Sequence, residues 1–257
     1  MPMLPPRLIN KINPESWGGI LDATYAIVLT LLTIELPVQI LSILDHMVDM
    51  AKDPTPQQLA GIRVEVWFAF FNLIIGYFAV FVIIYDIWAY HRVIVGVKGR
   101  LHLRAILTSF TMFLGTLIPS LHYVVNSVRQ KFIFAGAVEG SAIMFQLNFA
   151  RALEYPVIAL TYFFIFLQAA SDLSHLRGAI TPEEEKDVLR FVARTALTKA
   201  ILVIALVLVF QFAGAVNPAL RLLWEEVPGV LGITAIFTFL NLDIVRFLPG
   251  KIFSRYR

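Results

Sequence analysis

Apolar positions along the chain fall into long solid runs, separated by short stretches rich in charges, proline and glycine. Six runs stand out, over residues 19–44, 64–90, 105–125, 155–170, 195–212 and 227–245, with Pro37 near the far end of the first. A bilayer's hydrocarbon core takes about 20 helical residues, and a transmembrane barrel would show short alternating segments instead. The pattern predicts an all-α polytopic membrane protein: one domain over 1–257 with six transmembrane helices. The segment DHMVDMAKDPTPQQLAG reads as a loop and HRVIVGVKGRLHLR as a basic turn. In TPEEEKD, Thr181 is placed to cap a helix with Glu184 three residues on, so a helix restarts there.

The stretch KFIFAGAVEGSAIMFQLNFAR, 131–151, is a rival seventh span. Basic residues decide against it. With six spans and the N-terminus inside, 14 Lys and Arg fall on the cytoplasmic side and 6 outside, Lys199 lying within a span. A seventh span gives 8 against 12, which runs against the excess of Lys and Arg that cytoplasmic loops carry. The expectation is a cell-membrane protein with both termini cytoplasmic and 131–151 an interfacial or partly embedded outer element.

Composition agrees with this class. Mean hydropathy is +0.76, and 58% of residues are hydrophobic against 15% charged, outside the soluble globular range. The opening MPMLPPRLINKINPESW is too polar and proline-rich for a cleavable signal, so the first span is expected to stay as an anchor. Without cysteine there is no disulfide, thiolate or Cys-ligated metal chemistry. The net charge of +3 is ordinary, and no repeat or soluble domain is visible. No GxSxG, HExxH, P-loop or GxGxxG occurs, so neither an enzyme nor a cofactor is expected. His46, His91, His102, His122 and His175 lack metal-ligand spacing and read as ordinary loop and interface histidines, with no metal site. A TVGYG filter and an arginine ladder are absent too.

The first span, GGILDATYAIVLTLLTIELPV, is the informative one because it keeps Asp22, Thr24, Thr30, Thr33 and Glu35 in an apolar run. At roughly 100° per residue, Ile20, Ala23, Ile27, Leu31, Ile34 and Val38 share a stripe, with Thr24 and Thr30 on its shoulders. Asp22 projects about 140° away. An intramembrane carboxylate is costly unless paired. Trp88, His91 and Arg92 end the second span at similar depth, so a clasp between Asp22 and these residues is the cheapest arrangement. A proton relay is the alternative; it needs a second acid, from Asp86, Glu154 or Asp243. The stripe, on its own, is compatible with packing or with a pore lining.

The pattern resembles the bacterial branch of the transmembrane protein 175 family, potassium channels related to the lysosomal/endosomal channel. That family's first helix carries R-x-x-x-F-S-D-G and then a run close to VFAIALTLLVLEI. Here ILDATYAIVLTLLTIEL matches at Asp22, Ala26-Ile27, Leu29-Thr30-Leu31-Leu32 and Glu35. The Trp-x-x-His-Arg pattern ending the family's second span matches Trp88-Ala89-Tyr90-His91-Arg92, and Ile118-Pro119 matches its third-span proline. Ser16 stands in place of the signature's Arg, Ile20-Leu21 in place of Phe-Ser, and Ala23 in place of Gly.

What the resemblance implies is a homotetramer of six-helix subunits in the bilayer whose first helices line the pore. The constriction would be rings of Ile27, Leu31 and Ile34. Thr30 would help coordinate monovalent cations, K+ being the permeant one. Four converging apolar side chains leave a dewetted barrier. Glu35 would concentrate cations at the outer mouth or serve as an interface residue. The expected partners are further copies of the chain, lipid and monovalent cations, with no nucleic acid. A proton-coupled secondary transporter using intramembrane carboxylates is the alternative, although no inverted repeat supports it.

Overall fold

The computed structural model describes residues 14–50, 56–96, 101–134, 140–176, 183–214 and 228–240. They form six helices: α1 (Pro14–Met50), α2 (Pro56–Gly96), α3 (Leu101–Phe134), α4 (Gly140–His175), α5 (Glu183–Gly214) and α6 (Gly229–Phe239). Five contain stretches long and apolar enough to cross a membrane: Gly18–Val48, Gly61–Gly96, Leu103–Lys131, Ile143–His175 and Glu185–Phe212. This is the architecture of a helical membrane protein, in which each span satisfies its own backbone. α6 is a shorter apolar helix. Of the sixth expected run, 227 and 241–245 lie outside the described residues.

The helices overrun the apolar runs. At 1.5 Å per residue the 37 residues of α1 reach about 55 Å, well beyond a hydrocarbon core of about 30 Å. Hydropathy marks what can sit in lipid, whereas helix ends depend on local propensity and caps. The expected loop after the first span is therefore helical through Met50 and again from Pro56, and α2 carries the expected basic turn as far as Gly96. Pro14 and Pro56 open their helices, where a missing N–H costs nothing. Pro37, Pro119 and Pro156 sit inside α1, α3 and α4. Thr181 lies outside the described residues, but α5 begins at Glu183, where a restart is expected.

The largest correction concerns 131–151. It is no separate outer element: residues 131–134 finish α3, and 140–151 are the first turns of α4, continuous with the fourth span. Arg151, Glu154 and Pro156 break the apolar run without breaking the helix, because both charges are buried among protein groups.

α2 is the hub and packs against each of the other five helices. Val80, Ile83, Ile84, Ile87 and Ile94 on it are fully buried. In lipid such packing is driven by dispersion and close approach, since acyl chains are as apolar as leucine. Along α4 and α5, Ala159, Ala169, Ala193, Ala196 and Ala200 supply the small surfaces for it. α1 contributes Leu21, Tyr25, Val28, Leu32 and Ile43 at helical spacing. Tyr25 makes a three-way joint: its ring lies against Gly115 of α3, and its hydroxyl meets His91 Nδ1 of α2 at 3.2 Å.

Candidate functional site

α1 packs against α2 and α3 and is the most exposed long helix: 22% of its most apolar stretch is buried, against 33% to 50% in the others. The face it leaves uncovered carries two rows. One is bulky: Ile20, Ile27, Leu31, Ile34, Val38 and Leu41, with Ile27 62% and Ile34 60% exposed. None of the three expected constriction residues is buried within the chain. The second row is one of small side chains plus a proline, Gly19, Ala23, Ala26, Thr30, Thr33 and Pro37, all exposed at alternating spacings of four and three. By the helical repeat the rows are about 85° apart. Ala23, on the stripe as read from the sequence, belongs with the small row. Small residues at this spacing let a neighbouring helix approach closely.

The threonines on α1 turn their protons inward. Thr24 donates to the Ile20 carbonyl at 2.9 Å, Thr30 to Ala26 at 2.7 Å and Thr33 to Leu29 at 2.5 Å. With its one hydrogen committed, a hydroxyl presents lone pairs outward. The exposed side of α1 therefore offers acceptor oxygens, the chemistry that suits a cation.

At the start of α1, Asp22 Oδ1 accepts from Trp88 Nε1 at 2.9 Å, and Oδ2 lies 3.6 Å from Arg92 Nε. Arg92 Nη1 rests against Gly18, where any Cβ would collide with it. The Asp22–Trp88–Arg92 part of the clasp is thus assembled. His91 is not part of it: one helical position round α2, it is fully buried and bonded to Tyr25. Asp22 and Arg92 are each about half exposed, so the ion pair itself contributes little, about 0–1 kcal/mol.

Glu35 lies near the middle of the Gly18–Val48 stretch, in a helix that runs on to Met50. It is half-buried beside the packed face, and its Oε2 has no hydrogen-bond partner among the described residues.

Three polar clusters that hydropathy does not reveal tie the remaining helices together. Asp86 Oδ2 accepts from Lys199 Nζ at 2.6 Å and from the Tyr162 hydroxyl at 2.9 Å, while Lys199 also donates to Tyr90 at 2.8 Å. Arg104 donates to Asp172 Oδ2 through Nη2 at 2.7 Å and Nε at 3.1 Å, joining α3 to α4. Farther along the same pair, His122 Nδ1 meets Glu154 Oε1 at 2.8 Å, both side chains fully buried. Two of the acids considered for a relay, Asp86 and Glu154, thus each face a basic group; Asp243 lies outside the described residues. His91 and His122 are buried at helix interfaces, one of the two positions expected for the histidines. A lone Lys199 in an apolar run was the available signal, since such a charge must find a counter-charge at its own depth.

Among the described residues no group of three or more His, Cys, Asp or Glu is placed to hold a metal. No family model matches the chain, and no curated protein and no solved structure matches it.

Proposed function

We propose that the protein is a homo-oligomeric, potassium-preferring cation channel of the cell membrane, with α1 of each subunit lining the pore. The observation that supports this reading is the uncovered face of α1. A bulky apolar row at Ile27, Leu31 and Ile34 lies a quarter turn from a small row that can seat a neighbouring copy. One lining helix per chain requires several chains around a symmetry axis, and a tetramer is the assembly the family resemblance suggests. With the bulky row turned to that axis, its rings exclude water, and the Thr30 oxygens near them replace part of a cation's lost hydration. Selectivity then follows from constriction width and from those oxygens. Both termini are placed in the cytoplasm, from the distribution of basic residues.

The proton-coupled transporter is the weaker alternative, because Asp86 and Glu154 are each matched by a basic partner. The test is Ile27→Asn reconstituted in liposomes. A polar ring stays wet, so passive potassium flux rises above wild type while the oligomer persists. Unchanged flux in an intact oligomer, or a protein that is monomeric in lipid, would overturn the channel.

A further inference from the structure

His122 is the middle of a hydrogen-bond chain whose directions are fixed by elementary donor and acceptor rules. Arg129 Nη1 donates to Asn126 Oδ1 at 2.9 Å, and a guanidinium can only donate. That contact sets the amide: its carbonyl faces Arg129 and its NH2 faces the ring. Asn126 Nδ2 lies 2.7 Å from His122 Nε2, so Nε2 must be the acceptor and the ring's proton sits on Nδ1. From there it is donated to Glu154 Oε1 at 2.8 Å. The chain runs Arg129 to Asn126 to His122 to Glu154 and crosses from α3 to α4.

We propose that this chain is a proton-operated latch between α3 and α4. A second proton on the ring puts an N–H on Nε2, aimed at the Asn126 NH2 from hydrogen-bond distance. Asn126 then has to turn its carbonyl to the ring, which presents its NH2 to Arg129. Among the described residues Nε and Nη2 of Arg129 have no hydrogen-bond partner, so inversion removes the one acceptor its side chain has. His122, Asn126 and Arg129 are all buried, so bulk water does not replace the lost acceptor while the helices stay packed. The two arrangements are therefore alternatives, one proton apart, with a helix displacement between them.

The groups around the ring come from several helices. From α2, Gly76 lets it approach, since a Cβ there would lie 3.2 Å away, and the Tyr77 ring meets it edge-on at 5.0 Å. From α4 the facing charged and titratable groups are Glu154, with Arg151 and Tyr155 behind it. From α3 it is Arg129, reached through the Asn126 amide. α1 approaches through Gln39, which donates to Ser127 at 2.7 Å, and through Glu35, whose carboxyl acts on the neighbouring Tyr77. The latch belongs to a single chain and stands whether or not copies form a pore.

The cysteine-free chain makes the test direct. Val124→Cys and Leu153→Cys, both exposed on α3 and α4, take spin labels in nanodiscs, labelled chains being diluted into unlabelled ones. The α3–α4 distance distribution is recorded at neutral and acid pH, alongside 15N spectra of the histidines, His122 being assigned by its loss in His122→Gln. The expected result is the Nδ1–H tautomer at neutral pH and a shift to a second distance population in acid. His122→Gln, which accepts and donates but takes no proton, loses that shift. Asn126→Asp also loses it although the ring still takes its proton, because a carboxylate accepts from ring and guanidinium together. An Nε2–H tautomer at neutral pH, an absent shift in wild type, or a shift surviving in either variant overturns the latch.

Discussion

Replacing Lys199 by methionine keeps most of the side-chain volume and removes one charge from the middle of the helix bundle. The loss can be worked from its neighbours. Lys199 is 1% exposed and donates to Asp86 Oδ2 and to the Tyr90 hydroxyl, with the Tyr90 ring centre 4.6 Å from its nitrogen. Without it, Asp86, only 15% exposed, keeps the Tyr162 and Tyr90 hydroxyls but no cation among the described residues to balance its charge. Breaking a buried ion pair from one side costs about 3–5 kcal/mol. For a chain of this size each kcal/mol is worth about 2–4 °C, so the melting temperature in a fixed detergent should fall by about 6–20 °C. Asp86→Asn should fall comparably by stranding the ammonium. The double variant Asp86→Leu/Lys199→Leu strands neither charge and should recover most of the loss, since apolar replacements of buried pairs are often neutral. The assay is thermal unfolding of all four proteins, read by fluorescence, with the double variant compared against both singles. A Lys199→Met protein within about 1 kcal/mol of wild type, or a double variant as poor as the summed singles, would refute the account of a paired, dry site.

Three further outcomes follow from other parts of the molecule. Ala26→Leu places a large side chain in the small row of α1 and should push copies apart, seen as a smaller particle in native mass spectrometry, with the single-chain fold unchanged by circular dichroism. Gly76→Val drives a branched side chain into the His122 ring and should destabilise the chain by about 1–3 kcal/mol, measured as a lowered unfolding midpoint. Gly18→Val should dislodge the Arg92 guanidinium from α1 yet change stability by under about 1 kcal/mol, because that ion pair is half exposed and Trp88 still holds Asp22.

How much of this was legible in the sequence depends on what each residue answers to. The apolar runs identify the five long helices, because hydropathy is a sum over many positions and survives single exceptions. Asp22 with Trp88 and Arg92 was legible because those residues end adjacent helices at one depth. Helix ends were not, since Asp45, His46 and Asp49, and Gln57–Gln58, are polar enough to look like loop and yet lie within helices. The start of α4 was hidden for a different reason: Arg151 and Glu154 count as a boundary until they are seen inside the protein. Pairing across helices escaped altogether, because Asp86–Lys199 and His122–Glu154 depend on the rotation of each helix about its own axis. His91 shows the scale of that uncertainty, as one step of about 100° takes it from the Asp22 clasp to Tyr25.

The way α1 is fastened has a mechanical consequence. Its main grip is on α2 and α3, while α4 is packed chiefly against α3 and α5. Tilting α1 therefore asks mainly that grip to slide, with Tyr25 over Gly115 as the bearing, and the ion-paired half of the bundle can stand still as an anchor post. Any motion this protein uses should be cheapest in its first helix.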